Sequence, residues 1–450
     1  MNRFYKFLLI FLVFFIFNSC SFDNKTGVWK NENDDLKTQQ GEEENPIQPV
    51  FSKEKKFKKE VLNTTSIKIS NSFRNDRWLE KDFTPNNHVP HLDYSNQKNL
   101  ILKSKKIGKN KFKTSTVDYE PLILENNIFF YDTSGNIYSY STEIEKLNWK
   151  FNFYKKKFKK IPITMGFKID SNSLIVSDSL GYLYKLNTDS GKLIWAKNYG
   201  VPFKSNIKLK EQKVFLVNQD NKFYKIKASD GEKEFDIETF PSFLKSKQIS
   251  NISVEGKNKT VFFITTSGEL YSINYETNDL NWLFNISSIK RDKKLDLFFS
   301  SPIVLQNNRL FVSTSLSTIS MDPIRGSVKW DLPFSTYIKP VVLNDLIFLI
   351  SEDGFILSLN SETGKVIWSR ELFKNKKKFN QKKIGEINSL MMIDDQIFIT
   401  TEKGYFFFLN YQDGKIINYA KVAKGFFSKP TVANKKIYII DKKMRVLIFN

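Results

Sequence analysis

The stretch that decides the fold is "SGKLIWAKNYG" at residues 190–200, a polar turn followed by a short apolar strand with one tryptophan. The same phrase returns as "TGKVIWSREL" at 363–372 and as "RGSVKWDLPF" at 325–334. A turn and strand that keep their spacing along a chain form a repeat, and a repeat determines the architecture before any single residue does.

Aligning the chain on this phrase gives seven units with one spacing. In each unit a turn residue stands four positions before the tryptophan position, and a second turn residue stands ten positions before the first. Five of the seven tryptophans share this register. The seven sets are Gly135, Glu145 and Trp149; Gly181, Gly191 and Trp195; Asn221, Gly231 and Phe235; Gly268, Asn278 and Trp282; Leu316, Gly326 and Trp330; Gly354, Gly364 and Trp368; and Gly404, Gly414 and Asn418.

Each unit contains four short strands. An alternating strand such as "YLYKLN" (182–187) lies between the two turns, an apolar strand such as "SLIVSDS" (173–179) precedes them, and a strand such as "SPIVL" (301–305) comes earlier still. Four antiparallel strands joined by tight turns, repeating every roughly 38 to 50 residues, predict an all-β fold, a β-propeller. The tryptophan is predicted to wedge against the neighbouring blade; the alternative is a ring of aromatic residues that binds a ligand.

The two ends of the repeat complete each other. The C-terminal stretch 429–450 contains three strands and lacks the fourth. Residues 99–108, "NLILKSKKIG", resemble the fourth strand, with Leu102 in the tryptophan position. Joining them gives an eight-bladed β-propeller over residues 96–450, in which one blade is closed by N- and C-terminal strands and no sheet edge is left free by the ends.

The N-terminus has the pattern of a signal peptide. Arg3 and Lys6 precede eleven apolar residues at 7–17, a run too short to span a bilayer. The only cysteine, Cys20, follows. The arrangement resembles a bacterial lipoprotein signal, which implies removal of residues 1–19, lipidation of Cys20 and, with Ser21 next to it, the outer membrane. The alternative is an ordinary signal peptide with a chance cysteine.

Residues 20–95 have a different composition from the repeat. Most of the stretch is polar, charged and without periodicity, which predicts a lipidated N-terminus and a mostly disordered tether. Its last part, residues 71–95, contains Phe73, Trp78 and Tyr94, which are candidates to pack on the folded body.

The chain is strongly basic, with a net charge of +22 and an isoelectric point near 9.5. Such a balance raises the possibility of a nucleic-acid or anionic-membrane partner. The lysines are spread along the chain, and the runs at 53–59, 155–160 and 374–383 are typical of solvated loops, so we interpret the charge as a compositional bias and predict no nucleic-acid partner. His88 and His91 have the spacing of a metal pair, but no cluster of acidic or thiol ligands surrounds them in the sequence, which favours loop histidines.

The phrase D-x-x-[ST]-G-K-x-x-W resembles the PQQ-type propeller repeat over about residues 96–450. One branch of that group, the quinoprotein dehydrogenases, holds pyrroloquinoline quinone and Ca²⁺ in the axial funnel, which requires carboxylate ligands and a catalytic aspartate. Many members also stack the quinone on a disulfide between adjacent cysteines. The single cysteine excludes that disulfide here, and we find no Ca²⁺ ligand set in the sequence. We therefore predict no catalytic residue, metal or cofactor.

The other branch is the BamB family, eight-bladed lipoproteins of the outer-membrane β-barrel assembly (BAM) machinery. The resemblance implies binding to the POTRA region of the insertase BamA, and to other BAM components, through two segments between blades. "PSFLKSK" (241–247) and "IKRDKKLDLFFSSP" (289–302) correspond to them, with Lys245 where the family has arginine and Phe299 near the place of an aspartate. The implied contact residues are Phe243, Leu244, Lys245, Arg291, Asp292, Leu295 and Asp296.

These features predict a non-enzymatic scaffold that assists assembly and insertion of barrel proteins. It would be anchored by lipid in the inner leaflet of the outer membrane, would face the periplasm, and would be a candidate to contact unfolded outer-membrane proteins. The alternative is another periplasmic PQQ-like propeller lipoprotein, either a binding module or a degenerate quinoprotein dehydrogenase.

Overall fold

The computed structural model describes residues 20–22, 29–31, 57–111, 118–154, 158, 160–240, 250–286, 298–374 and 379–450. The chain divides into two compact units, residues 1–54 and 55–450. In the first unit, β1 (Cys20–Phe22) pairs antiparallel with β2 (Trp29–Asn31), and Cys20 stands opposite Asn31.

The second unit consists of eight four-stranded antiparallel sheets, the blades of a propeller. Strand β3 (Leu100–Lys103) comes first in the chain. Blade 1 is β4 (Leu122–Leu124), β5 (Asn127–Tyr131), β6 (Ile137–Ser141) and β7 (Lys146–Phe151); blade 2 is β8 (Met165–Asp170), β9 (Ser173–Asp178), β10 (Tyr182–Asn187) and β11 (Leu193–Asn198); blade 3 is β12 (Lys208–Lys210), β13 (Lys213–Val217), β14 (Phe223–Lys227) and β15 (Lys233–Ile237); blade 4 is β16 (Ile252–Glu255), β17 (Thr260–Ile264), β18 (Glu269–Asn274) and β19 (Leu280–Asn285).

The remaining blades continue in chain order. Blade 5 is β20 (Val304–Gln306), β21 (Arg309–Ser313), β22 (Thr318–Met321) and β23 (Val328–Leu332); blade 6 is β24 (Val341–Leu343), β25 (Leu346–Ile350), β26 (Phe355–Asn360) and β27 (Val366–Glu371); blade 7 is β28 (Ile387–Ile393), β29 (Gln396–Thr401), β30 (Tyr405–Asn410) and β31 (Ile416–Lys421); blade 8 is β32 (Thr431–Ala433), β33 (Lys436–Ile440) and β34 (Val446–Phe449). Strand β3 pairs with β34 and completes blade 8. The predicted eight blades and their closure by the two ends of the repeat are confirmed.

The first strand of each blade lies at the axis. First strands of neighbouring blades contact each other, as β4 does with β8 and β12 with β16. Because strands alternate in direction, the connectors between blades and the turns between second and third strands share one end of the ring, here called the connector end. The remaining hairpin turns lie at the opposite, hairpin end.

The connector between blades 6 and 7 contains a short helix, α1 (Gln381–Ile384). Asn380 caps it, with its side chain accepting from the Lys383 backbone N–H. In the described part of the chain, no helix is both long and apolar enough to cross a membrane.

The recurring tryptophans lie at the interfaces between blades. A methyl group on Gly191 of blade 2 would come within 2.6 Å of the Trp149 indole of blade 1. The same approach of 2.6–2.7 Å recurs four more times around the ring. The pairs are Trp195 with Gly231, Trp282 with Gly326, Trp330 with Gly364, and Trp368 with Gly414. The predicted role as a wedge between blades is confirmed.

A hydrogen bond accompanies most of these contacts. The indole N–H of Trp149 donates to the carbonyl of Thr188 at 2.7 Å, three residues before the contacted glycine. The indoles of Trp282, Trp330 and Trp368 donate to the equivalent carbonyls of the next blade. In blade 3, where Phe235 replaces tryptophan, the Lys225 ammonium donates to the equivalent carbonyl of Tyr275 at 3.1 Å. At these five interfaces the backbone carbonyl is thus satisfied, whether the position holds tryptophan or phenylalanine.

Candidate functional site

Residues 75–95, which we call the axial belt, make one full turn around the propeller axis. The belt contacts the blades in their order in the ring and pairs mainly with backbone groups of their first strands. Its contacts are Asn75 Nδ2 to Val432 O (2.6 Å, blade 8), Trp78 N to Ile123 O (2.8 Å, blade 1), Ile169 N to Leu79 O (2.8 Å, blade 2), Lys208 Nζ to Thr84 O (2.9 Å, blade 3), Val254 N to Pro85 O (2.9 Å, blade 4), Leu305 N to Asn86 O (3.1 Å, blade 5), His88 Nε2 to Val342 O (3.0 Å, blade 6), Leu92 N to Met392 O (3.0 Å, blade 7) and Ser95 N to Lys435 O (3.1 Å, blade 8).

The belt closes the axial channel from the hairpin end, because several of its partners, such as Ile169, Val254 and Met392, stand in the later part of a first strand. The sequence predicts a mostly disordered tether over residues 20–95, but from residue 57 onward the chain lies against the blades. Trp78 and Tyr94 are buried, whereas Phe73 is half exposed. The physical reason is that the innermost strands leave backbone groups unpaired toward the axis, and the belt supplies their partners.

The segment before the belt is also held by the blades. Val61 exchanges backbone hydrogen bonds with Ser369 of β27, and so extends the outer edge of blade 6. Farther along, the Gln412 side chain makes two hydrogen bonds with the backbone of Ile67, which is buried. Residues 57–67 therefore run from blade 6 to blade 7 before the chain reaches the axis.

The two histidines are parts of the belt. His88 Nε2 lies 3.0 Å from the Val342 carbonyl, and burial lowers the pKa of His88. His91 Nδ1 lies 2.7 Å from the Ser70 carbonyl, while its Nε2 accepts from the Asp395 backbone N–H at 3.1 Å. Both rings are thus engaged in backbone hydrogen bonds with different blades.

A buried network of charges joins the belt to the blades. Both carboxylate oxygens of Glu80 are engaged, one by Lys168 Nζ at 2.7 Å and one by Lys208 Nζ at 3.1 Å. Lys208 is fully buried and also donates to the carbonyls of Lys81 and Thr84. Because a buried ion is stable only when it is paired and hydrogen-bonded, this network fixes the belt against blades 2 and 3.

Two more carboxylates of the network have lysine partners. Asp82 lies 2.9 Å from Lys339 Nζ of the connector before blade 6. Burial alone would raise the pKa of Asp82, but the ammonium groups of Lys339, Lys81 and Lys208 outweigh it and lower the pKa to about 2. Asp118 lies 2.6 Å from both Lys81 Nζ and Lys429 Nζ. Those two cations hold the pKa of Asp118 well below its ordinary value against the effect of burial.

Glu120 behaves in the opposite way. Burial and the neighbouring charge of Asp82 raise its pKa. Its Oε2 atom accepts from the Trp78 indole N–H and from the Asp82 backbone N–H, both at 2.9 Å. This carboxyl group therefore ties the start of the belt to blade 1.

Above the belt, a pocket of about 420 Å³ opens at the connector end. All eight blades or the connectors leading to them line it, because its walls are the regions where the first strands begin. Lys81, Asp118 and Lys429 line it beside aromatic side chains such as Tyr131 and Tyr337. Through Lys81 the belt forms part of the wall of this pocket.

The Ca²⁺ centre of quinoprotein dehydrogenases requires several carboxylate or amide oxygens directed at one point. Here Glu80, Asp82 and Asp118 each have lysine ammonium groups as partners. Within the described ranges, no three His, Cys, Asp or Glu side chains are grouped so that they could hold a metal. The axial residues present do not fit such a centre.

The structure does not test the roles predicted for the site residues. Cys20 stands in β1. Residues 241–249, with Phe243, Leu244 and Lys245, lie outside the described residues, as do residues 287–297. The latter stretch contains Arg291, Asp292, Leu295 and Asp296. Their roles stay predictions.

Comparison with known families decides the assignment. The family model described as outer membrane protein assembly factor BamB matches residues 133–370, which is more than half of the chain. The chain belongs to the BamB family. The match begins in blade 1 and ends in blade 6, so it covers six tryptophan positions of the repeat, five of which hold tryptophan.

Curated relatives of this BamB-family chain are uncharacterized proteins. One from Rickettsia prowazekii is 24% identical over 280 residues, which cover 60% of this chain and 66% of the relative. One from Rickettsia conorii is 28% identical over 134 residues, or 29% of this chain and 31% of the relative. The chain thus spans less than two thirds of each of these relatives.

Solved structures agree in fold. BamB from Moraxella catarrhalis matches with a TM-score of 0.63 and 15% identity, over 78% of this chain and 99% of that one. A europium-containing methanol dehydrogenase matches with 0.61 and 9%, over 81% and 89%. The quinohemoprotein alcohol dehydrogenase of Comamonas testosteroni matches with 0.61 and 10%, over 84% and 81%. At these identities the likeness establishes the propeller fold alone.

Proposed function

We propose that this BamB-family chain is a scaffold of the outer-membrane β-barrel assembly machinery and acts without a reaction of its own. The observation that carries the proposal is the family match over residues 133–370. The lysine partners of the axial carboxylates also support a scaffold, since they leave those oxygens unsuited to a Ca²⁺-dependent dehydrogenase centre.

The proposed partner is the POTRA region of BamA, with other components of the machinery around it. The two implied contact segments belong to the connectors before and after blade 4. Phe240, at the described end of the first connector, is 64% exposed. An exposed large aromatic side chain is typical of the residues that anchor protein interfaces.

The proposed location is the periplasmic face of the outer membrane. Acylation of Cys20 would anchor the chain in the inner leaflet, since two or more acyl chains hold a protein where one binds only marginally. Unfolded outer-membrane proteins passing to the insertase are candidate further contacts of the scaffold.

The deciding experiment measures binding between the purified chain and purified POTRA domains of the same organism. The test variant is Phe243→Asp with Leu244→Asp and Lys245→Glu. Interface energy concentrates in a few anchors, so we expect a loss of about 30- to 1000-fold in affinity. The matched control is Ile144→Asp with Ile324→Asp and Lys192→Glu, which makes the same changes at exposed turns of the hairpin end.

Retained binding by both variants would remove the three residues from the contact. No binding by the wild-type chain, under conditions where the reference BamB of another species binds its own POTRA domains, would contradict the proposed partner. Thermal unfolding of each variant separates a lost contact from a lost fold.

A degenerate quinoprotein dehydrogenase is the second candidate. It is favoured only by the propeller fold shared with the two dehydrogenases. Tight binding of pyrroloquinoline quinone to the purified chain, measured by calorimetry with and without Ca²⁺, would favour this candidate over the scaffold.

A further inference from the structure

Charge is distributed unequally between the two ends of the propeller. The described parts of the eight connectors contain twelve lysines and four carboxylates. The fifteen hairpin turns at the opposite end contain fifteen carboxylates and seven lysines or arginines. The turns between second and third strands, which also lie at the connector end, are nearly balanced, with five cations and six carboxylates. The connector end is therefore cationic and the hairpin end anionic.

The separation lies mainly in the carboxylates, because the connectors contain four of them and the hairpin turns contain fifteen, while the cations number twelve and seven. Like charges gathered on one face also repel each other and destabilise the compact state. The positive charge of the connector end therefore comes mainly from its shortage of carboxylates.

Most of the described connector lysines lie on one side of the ring. Ten of the twelve belong to four consecutive connectors, those from blade 6 to 7, 7 to 8, 8 to 1 and 1 to 2. We call their described residues the cationic arc. The connectors before and after blade 4, which contain the predicted POTRA contacts, lie across the ring from the middle of this arc.

Three exposed lysines of the arc have no ionic partner among the described residues, whereas Lys374 is paired with Glu60 at 3.6 Å. Lys105, Lys382 and Lys424 are exposed and form no ion pair with any described carboxylate. By contrast, Lys429 of the same arc is held by Asp118 at the pocket. Charges that are close on the scale of the Debye length, about 10 Å at 0.1 M salt, reinforce each other's potential and attract an opposite charge.

We propose that the cationic arc is a docking surface for an acidic protein segment, separate from the predicted POTRA contact. A protein is favoured over a bilayer because the axial pocket opens at the centre of this face. A flat anionic membrane meets the rim of such a face, whereas a protruding acidic segment reaches both the rim and the pocket mouth. Complementary charge of this kind sets the association rate and the choice of partner.

The test uses fluorescence anisotropy of a labelled 20-residue peptide of alternating glutamate and serine, with a glutamine–serine peptide for comparison. The protein is residues 21–450, without the predicted signal peptide and acylation site. The arc variant is Lys105→Glu with Lys382→Glu and Lys424→Glu. The matched control is Lys192→Glu with Lys257→Glu and Lys365→Glu, three exposed lysines of the hairpin end that change the net charge by the same amount.

We expect the arc variant to lose at least about tenfold in affinity for the glutamate peptide and the control to change by less than about threefold, and we expect wild-type binding to weaken as salt rises. Equal losses in the two variants would show an effect of net charge alone and would overturn the proposal. Equal binding of the glutamine peptide would also overturn it. Binding to vesicles of phosphatidylcholine with phosphatidylglycerol, without binding to the peptide, would assign the surface to a membrane instead.

Both variants are first compared with wild type by thermal unfolding. If the arc variant does not fold, the three lysines are changed to glutamine, and the same comparison is made with glutamine at the three control positions. The POTRA-binding measurement is made in parallel. The POTRA-binding result tests the proposed partner and does not affect the test of the cationic arc.

Discussion

The Trp330 indole of blade 5 lies against Gly364 of blade 6, and a methyl group there would come within 2.7 Å of the ring. Around the ring, tryptophan occurs only where the next blade has glycine at this turn. Phe235 precedes the blade with Asn278, and Leu102 precedes the blade with Glu145. Asn418 of blade 7 precedes blade 8, which lacks this turn because the two chain ends meet there. A tryptophan in one blade therefore occurs together with a glycine at the facing turn of the next blade.

Replacing Gly364 by alanine tests this relationship. Gly364 has φ of 69°, so alanine is strained by about 1–2 kcal/mol and in addition collides with the Trp330 indole, which we expect to cost a further 1–3 kcal/mol or so. Gly200→Ala is the control, because Gly200 has φ of 79° with no atom within 4 Å of the added methyl group. Chemical denaturation gives both free energies of unfolding. Equal losses would show that the indole yields without cost.

The buried ammonium of Lys208 is predicted to be essential for stability. Lys208→Met leaves one oxygen of Glu80 and two belt carbonyls without their donor, so we expect a loss of about 3–5 kcal/mol. Lys415→Met, which removes the largely exposed pair with Asp413, is expected to cost about 1 kcal/mol or less. A similar small loss for both variants in denaturant titrations would contradict a structural role of the network.

The belt also predicts how stability depends on pH. Because the pKa of Asp82 is lowered to about 2, the unfolded chain binds a proton that the folded chain does not between about pH 4 and pH 2. The contribution, of order 2 kcal/mol, is complete above pH 4 and is lost as the pH falls through 2. Asp82→Asn is expected to lower stability at neutral pH and to flatten this acid limb, while Asp345→Asn at an exposed turn changes neither.

Glu120 is expected to change stability with pH in the opposite direction to Asp82. Its raised pKa means that ionisation with rising pH destabilises the folded state. Glu120→Gln keeps an oxygen for the Trp78 and Asp82 donors and is expected to be milder than Asp82→Asn at neutral pH. A greater loss for Glu120→Gln would contradict these assignments.

Cys20→Ala tests the predicted anchor. The only thiol in the chain is removed, so we expect the protein to leave the membrane fraction or to retain its signal segment. The measurement is fractionation followed by mass determination of the N-terminus, with Ser19→Ala as a control that keeps the thiol. Unchanged outer-membrane fractionation of Cys20→Ala would exclude lipidation at this residue.

The blades were predictable because their chemistry is local. In most units, glycine or asparagine at positive φ, an alternating strand and one tryptophan fall within 15 residues, and seven copies make the pattern recognisable. Even the join between β3 and β34 is visible, because one end of the repeat lacks the strand that the other end supplies.

The axial belt was not predictable from a pattern, because most of its partners are backbone atoms of other blades. Such contacts impose no periodicity on residues 75–95. Lys208 of β12 gives one indication of the belt. It stands in an innermost strand and is fully buried, which indicates a carboxylate partner but does not identify that partner as Glu80. The charge separation could not be predicted without the strand topology, because successive loops in the sequence lie at alternate ends of the propeller.

The belt has a consequence for the order of folding. It is synthesised before any blade, yet Asn75 bonds to Val432 across 357 residues, and His91 bonds to Asp395 across 304. Contacts of such sequence separation form late and slow folding. The start of the belt can bond to blades 1 and 2 through Trp78 and Leu79 as they form, but the belt completes its turn around the axis only after the last blade has folded.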